Sequence, residues 1–353
     1  MRCYCVMHHG QALQAVDCPI PQAQGTEVLI KVRAAGLCHS DLHLWEGHYD
    51  LGGGKKLSLA DRGIKLPLTL SHEIVGEVAG SGEGAAAAVA ALRRQPVLVH
   101  PWIGCGGCAA CRRDEENLCT QPQFMGVARP GGFADYVLVP HPRYLVQIDG
   151  LDVAEAAPLA CAGVTTYSAL RKFGARLQTD PVVVIGAGGL GLMAIRLVQA
   201  LGGHGAIAVD LDPVKRQAAL DAGALAALDA GAPDAVQQLL QATGGGARAV
   251  LDLVGATPSV SLAIAASARG GHIVVCGLMG GELTLALPLI PMRPLTLQGS
   301  YVGTLAELQE LVALVRRTGM KSIPVTRRPL AQADQALQDL RLGRVVGRTV
   351  LIP

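Results

Sequence analysis

The stretch Pro181-Val182-Val183-Val184-Ile185-Gly186-Ala187-Gly188-Gly189-Leu190-Gly191 decides how the rest of the chain is read. Its apolar run has no amphipathic period, and a short run of this kind bounded by glycine fits a strand buried on both faces of a parallel sheet. The glycines Gly186, Gly188 and Gly191 then match G-x-G-x-x-G, and a helical pattern follows from Leu190 to Leu201. Alone the pattern is weak, and a strand–turn–helix that merely packs closely would also satisfy it. Between a strand and a helix it gains meaning: the glycines permit a tight turn and let backbone N–H groups approach a pyrophosphate. The helix N-terminus adds a favourable partial positive charge.

Working outward, strand and helix alternate. Ala206 to Val209 reads as a strand, and Pro213 to Ala222 as a helix with proline in its first turn. Ala235 to Ala242 reads as a helix, Ala249 to Val254 as a strand, Val260 to Ala268 as a helix and His272 to Cys276 as a strand. Such alternation implies an α/β fold with a doubly wound parallel sheet. Asp210 lies 19 residues after Gly191, at the end of the second strand. A carboxylate there accepts the ribose hydroxyls of NAD and repels the 2′-phosphate of NADP. No arginine immediately follows it, and Asp212 adds negative charge, so the expected coenzyme is NAD.

The flanks differ. Glu27 to Ala34, Glu73 to Ala79 and Pro96 to His100 read as strands in a β-rich first part. Gly47 to Pro67, with Gly52-Gly53-Gly54, reads as a long loop without regular pattern. Beyond Gly299, Leu305 to Arg316 is helical and Val345 to Ile352 is strand-like. The expected plan is a nucleotide-binding part, residues 163–299, inserted into a β-rich catalytic part formed by 1–162 and 300–353.

Composition limits the function. Of 353 residues, 50% are hydrophobic and 16% charged, enough apolar material for a large core. The net charge of +2 has no basic block behind it, so nothing points to nucleic acid. Met1 to Gly10 lacks the plan of a signal peptide, and no charge-free apolar run reaches about 18 residues. The expected place is the cytoplasm. In a reducing compartment, ten cysteines are more often metal ligands or catalytic groups than disulfides.

Four of them, Cys105, Cys108, Cys111 and Cys119, follow C-x2-C-x2-C-x7-C. Four thiolates this close can close a tetrahedron around Zn²⁺ with no open position, which is a structural site. An iron–sulfur cluster is the alternative for the same sulfur set. Three other fragments are indecisive singly: Cys38-His39-Ser40-Asp41-Leu42-His43, Ser71-His72-Glu73, and Cys161. Together Cys38, His72 and Cys161 offer two thiolates, one imidazole and an open position, the set of a catalytic zinc.

With those three motifs in that order, the chain resembles the zinc-containing medium-chain alcohol dehydrogenases over essentially its whole length. The resemblance implies a GroES-like catalytic domain around a Rossmann domain, two zinc ions per subunit and reversible hydride transfer between an alcohol and NAD. It implies that Cys38, His72 and Cys161 hold the catalytic zinc, that Glu73 lies beside it, and that Asp41 holds the other ring nitrogen of His72. It places Ser40 beside the alcohol oxygen and His43 at the outer end of a proton relay. His39 and Arg348 are implied at the pyrophosphate, Lys215 near the adenosine ribose and Thr165 near the nicotinamide. A homodimer or homotetramer is also implied. The apolar stretch Gly277 to Leu287 is read as a strand available to pair across its interface.

Two departures stand out. Ser71 replaces the glycine usual before the zinc histidine, and 28 residues separate His43 from His72. The longer loop makes transfer of a substrate from the family unsafe. Trp45 and Trp102 are the expected aromatic pocket walls, with core packing as their alternative. A polyol or sugar-alcohol dehydrogenase of the same superfamily is a second reading, which Cys161 disfavours. A non-catalytic NAD-binding sensor is a third, which the zinc ligands with Ser40 and His43 disfavour.

Overall fold

The valine-rich run becomes strand β11 once the strands before it are counted, and it lies at the centre of its sheet. The computed structural model describes residues 1–92 and 95–353. In the first part the strands are β1 Arg2–Val6, β2 Gln14–Asp17, β3 Val28–Gly36, β4 His48–Gly52 and β5 Lys55–Ser58. They continue with β6 Leu68–Thr69, β7 Glu73–Ser81, β8 Pro96–Val99, β9 Tyr136–Val139 and β10 Leu145–Gln147. Helix α1, His39–Glu46, interrupts them between β3 and β4. Helix α2, Ala162–Arg171, opens the second part.

That second part runs β11 Val182–Ile185, α3 Gly189–Ala200, β12 Ala206–Asp210, α4 Pro213–Asp221, β13 Ala226–Asp229 and α5 Ala235–Ala242. It continues β14 Ala247–Asp252, α6 Thr257–Ala266, β15 Ser267–Val275 and β16 Thr296–Gly299. All neighbouring strands are parallel, in the order β13-β12-β11-β14-β15-β16. The order reverses between β11 and β14, and the loops after those strands form the crevice where a doubly wound sheet binds its ligand. The four residues of β11 are fully or almost fully buried. Burying each valine or isoleucine contributes roughly 1.5–3 kcal/mol before entropy is counted.

The chain then returns. Helix α7, Leu305–Thr318, is capped by Thr304, whose hydroxyl accepts from the Glu307 N–H. It packs on α2 and α3. Strand β17, Val325–Pro329, helix α8, Ala333–Arg341, and strand β18, Arg348–Ile352, follow. Strand β18 is wedged between β3 and β17, in a sheet ordered β10-β8-β7-β3-β18-β17 with β9 also on β3. One apolar core extends from Val75 and Cys38 through α2 to Val184 and Leu251, joining the two sheets.

Two expectations are corrected. Residues 47–67 are not irregular: β4 and β5 form a hairpin in which Gly52 pairs with Lys55. Its two-residue turn, Gly53-Gly54, has φ of 57° and 77°. Positive φ at both positions is what a two-residue hairpin loop with strand-matched twist demands, and glycine adopts it without strain. The stretch Gly277 to Leu287 is not a strand; it makes only an isolated bridge, Ala256 to Gly280. Gly280 and Gly281 both have φ of 106°, outside the range a ladder needs. The sheet edge is β16 instead.

Candidate active site

Cys38, His72 and Cys161 come from three separate joints. Cys38 follows β3 and caps α1, His72 precedes β7, and Cys161 precedes α2. All three are buried, and their ligand atoms lie within 4.8 Å of one another. The two sulfurs are 3.8 Å apart. A tetrahedron with ~2.3 Å metal–sulfur bonds has edges of about 3.8 Å, so the spacing suits zinc. Both ring nitrogens of His72 are buried without a hydrogen-bond partner, an arrangement that costs free energy unless a ligand satisfies them. The hydrogen bond from Cys161 lowers the Cys38 thiol well below its usual range, while that same contact and burial push Cys161 up. A divalent cation would let both ionise.

Asp41 departs from expectation. Its Oδ1 is 3.8 Å from His72 Nδ1, beyond hydrogen-bond reach. Its two oxygens instead accept the N–H groups of Cys38 at 2.8 Å and Ser71 at 3.0 Å. Asp41 therefore ties together the backbone of two ligand-bearing joints. Ser71 has φ of 76°, the left-handed region, which explains why glycine is usual there. Its hydroxyl donates to the Gly36 carbonyl at 2.8 Å, offsetting part of the strain.

Glu73 and Arg348 form a fully buried pair, Nη2 to Oε1 at 2.9 Å. Burial pushes the Glu73 carboxyl up to about 7 although the guanidinium opposes it. Arg348 also donates to the Leu37 carbonyl at 3.3 Å and borders Gly189, at the first turn of α3. His39 lies nearby: burial lowers its pKa, the Cys38 thiolate opposes this, and the cations Arg348 and Lys215 reinforce it. So residues expected at a pyrophosphate and a ribose, from opposite halves, do share one electrostatic neighbourhood.

Ser40 Oγ is 3.9 Å from Cys38 Sγ. His43, one turn further along α1, is half-buried with its ring 4.8 Å from that of Tyr49. Burial lowers its pKa, which keeps the ring neutral and able to accept a proton. Thr165 is buried with its hydroxyl unpartnered.

At the glycine loop the three positions have different roles. Gly186 has φ of 94°. A Cβ on Gly191 would lie 2.0 Å from the Gly186 carbonyl oxygen, so only glycine allows that contact. A Cβ on Gly188 would meet nothing within 4 Å, leaving open space above the loop for a phosphate to approach. Asp210 accepts from the Ala187 N–H at 2.7 Å and the Asp212 N–H at 2.9 Å. Arg216 was not expected: it donates to the carbonyls of Asp210 and Leu211 and pairs with Asp229, bracing the turn that presents Asp210.

The other cysteine set also converges. Sulfur–sulfur distances of 3.5, 3.9 and 4.0 Å link Cys108 to Cys111, Cys108 to Cys119 and Cys105 to Cys111. Backbone N–H groups hold Cys108 down to about 6, and the N–H groups of Cys105 and Gln121 donate to Cys119. Sequence reading missed how the lobe is anchored. Buried Glu116 accepts from the Gly104 N–H and the Tyr144 hydroxyl, each at 2.7 Å, and pairs with Arg143.

Trp102 packs between the metal set and two residues of a cleft wall, Phe124 and Tyr301. Its ring is 5.1 Å from His72, 5.3 Å from Phe124 and 6.4 Å from Tyr301, and its N–H donates to the Ala160 carbonyl. The cleft measures about 480 Å³, and Tyr49, Leu57, Phe124, Leu278 and Tyr301 contribute to its wall. Trp45 is a correction. Its indole N–H donates to the Gln11 carbonyl, Arg341 covers its ring, and it packs in the core of the β-rich part. The apolar face of α1 claims it, as its alternative reading held.

Comparison with known proteins agrees with this geometry. The family described as alcohol dehydrogenase GroES-like domain matches residues 24–150, and that described as zinc-binding dehydrogenase matches residues 189–317. A NAD-dependent alcohol dehydrogenase of Sulfurisphaera tokodaii is 38% identical over 358 aligned residues, covering 100% of both chains. The crystal structure of an alcohol dehydrogenase from Aeropyrum pernix superposes with a TM-score of 0.89 at 31% identity, again over 100% of both chains. That of a D-arabinose dehydrogenase from Sulfolobus solfataricus gives 0.83 at 28% identity, over 100% of this chain and 99% of that one. The chain belongs to the zinc-containing medium-chain alcohol dehydrogenase family. Its Rossmann-type sheet and GroES-like part are those of that family.

Proposed function

We propose that the protein is a NAD-linked alcohol dehydrogenase interconverting a primary or secondary alcohol and its aldehyde or ketone. The observation that carries this reading is the buried set Cys38, His72 and Cys161, spaced for one ion, with Trp102 packed between His72 and the cleft-wall residues Phe124 and Tyr301. Bound zinc supplies Lewis acidity toward the alcohol oxygen, and NAD supplies the hydride acceptor.

The chain's own residues do the rest. Ser40 takes the hydroxyl proton of the alcohol. His43, three residues along the same helix face, receives it as a neutral base and releases it outward. Glu73 and Arg348 neutralise each other beneath the metal ligands and fix α3 against β18. Gly186, Gly188 and Gly191 with the start of α3 hold the pyrophosphate, helped by His39 and Arg348. Asp210 accepts the ribose hydroxyls, Lys215 lies beside them, and Thr165 turns its free hydroxyl to the nicotinamide. Trp102 keeps water from the reacting carbon. Cys105, Cys108, Cys111 and Cys119 hold a second, structural zinc.

Two further readings belong here. The apolar residues Leu287, Met292 and Leu297, each more than 40% exposed, lie on and before edge strand β16. They support a homodimer formed through this edge, for which Leu297→Lys should yield monomers by light scattering. No described helix is long and apolar enough to cross a membrane, which accords with a cytoplasmic enzyme. The D-arabinose relative supports a sugar as a second substrate class.

The deciding test is NADH formation with primary, secondary, benzylic and polyol alcohols, alongside a zinc count. Turnover of an alcohol with two zinc ions per chain is the expected result. Absence of turnover from fully metallated protein would end the reading.

A further inference from the structure

The cleft wall carries a cation that no carboxylate pairs directly. Arg62 lies on that wall just after the β4–β5 hairpin, and it is exposed. Among the described residues no carboxylate comes within 4.0 Å of its guanidinium. The two residues outside the description, Arg93 and Arg94, are cations and could not neutralise it. Asp50, also on the wall, commits one oxygen to the Gly52 N–H at 2.8 Å. The remaining wall is largely apolar and aromatic, and Gly255, Gly277, Gly280 and Gly281 close it on the side of the nucleotide sheet.

We propose that the alcohol taken by this site has a ring-sized apolar body, with its hydroxyl at the metal end and a carboxylate at the far end held by Arg62. The proposal rests on the dehydrogenase reading above. A guanidinium matches a carboxylate with two parallel N–H donors, a geometry that an ammonium does not reproduce.

The test compares benzyl alcohol, 4-(hydroxymethyl)benzoate and 4-(aminomethyl)benzyl alcohol. In the wild type, kcat/KM for the carboxylate should exceed that for benzyl alcohol by about tenfold, and the amine should fall below both. Arg62→Gln should erase the carboxylate advantage while leaving benzyl alcohol and the KM for NAD unchanged; Arg62→Lys should retain part of it. A wild-type ratio of one or less, a ratio that survives Arg62→Gln, or a neutral polyol outrunning all three would overturn the proposal. Titration of tryptophan fluorescence in a Trp45→Phe background, where Trp102 is the remaining indole, with 4-formylbenzoate and benzaldehyde reads affinity without turnover. If no alcohol reacts but Arg62-dependent preference for the carboxylate persists, the dehydrogenase reading fails and only the carboxylate subsite at Arg62 remains. If neither assay shows preference, this one fails.

A separate observation concerns the N-terminal hairpin. Cys3 in β1 and Cys18 just beyond β2 place their sulfurs 2.9 Å apart. The backbone around them is already held, with Met1 and Cys18 exchanging hydrogen bonds of 2.8 and 3.0 Å. Cys3 is buried and Cys18 half-buried, so reagents reach the pair from Cys18. The structure assigns these two thiols as a disulfide-forming site, with a small-molecule disulfide such as oxidised glutathione as the oxidant. The Cys18 thiolate attacks one glutathione sulfur and releases one glutathione. Cys3 then attacks the Cys18 sulfur of the mixed disulfide and releases the second; the two protein protons leave with the two glutathione thiols.

Metallated protein treated with oxidised glutathione should lose the mass of two hydrogens and give a peptide linking Cys3 to Cys18. Its melting temperature should rise, because the bridge restrains the unfolded chain. Cys3→Ser should stop at a glutathione adduct on Cys18. Persistence of that adduct in the wild type, a link to Cys5, or two thiols that remain alkylatable would overturn the assignment.

Discussion

Ser71 shows how one residue departs from the simplest solution and is held in place by neighbours. Its left-handed backbone costs about 1–2 kcal/mol relative to glycine, and its hydroxyl bond to Gly36 returns about half of that or more. Ser71→Ala should keep the strain, lose the bond and lower the melting temperature; Ser71→Gly should melt close to the wild type. Cys161→Ala should leave a folded chain with nearly no turnover and one zinc ion fewer by mass spectrometry. For His43, burial depresses the folded pKa, so the neutral base persists to lower pH than a free histidine would allow. His43→Ala should therefore lose oxidation rate most on the acid side of the pH–rate profile, with partial rescue by added imidazole. The metal ligands were legible only together, because two cysteines and a histidine in the order of the family's motifs offer a zinc ligand set that no one of them offers alone. The bond pattern of Asp41 was not, because a carboxylate's choice between a ring nitrogen and two backbone donors depends on ångström-scale placement.

At the scale of elements, alternation and glycine placement revealed the parallel sheet. Branched apolar runs such as Val182–Ile185 have few other homes. Strand β13 escaped notice because Ala226–Asp229 is short and weak in strand-forming residues. The β4–β5 hairpin escaped because its flanking residues do not alternate cleanly, although Gly53-Gly54 carried the turn signal. Replacing Gly54 by valine should destabilise the hairpin by about 1–2 kcal/mol and weaken discrimination among substrates, measurable as converging kcat/KM values. The cysteine lobe has its own support in Glu116. Glu116→Ala leaves the Gly104 N–H and the Tyr144 hydroxyl without their acceptor. It should cost about 1–3 kcal/mol and loosen only the structural zinc, seen as faster release to a chelator.

At the scale of the molecule, the two sheets are joined at more than the metal site. A Cβ on Gly280 would lie 2.6 Å from the Asp50 carbonyl oxygen, and one on Gly52 would lie 2.7 Å from the Glu282 nitrogen. The hairpin of one part thus rests backbone to backbone on the other. Gly280→Val should push them apart and raise KM for both substrate and coenzyme, with zinc content unchanged. Such contacts could not be read from the sequence, since they join residues more than 200 positions apart. Strand β18 has a wider consequence. It enters between β3 and β17 and brings Arg348 to the buried Glu73, some 275 positions earlier in the chain. During synthesis, a growing polypeptide can gather its thiols and imidazole long before that guanidinium emerges from the ribosome. Until it does, Glu73 must stay protonated or wet, and competence for catalysis arrives only when the final strand is threaded home.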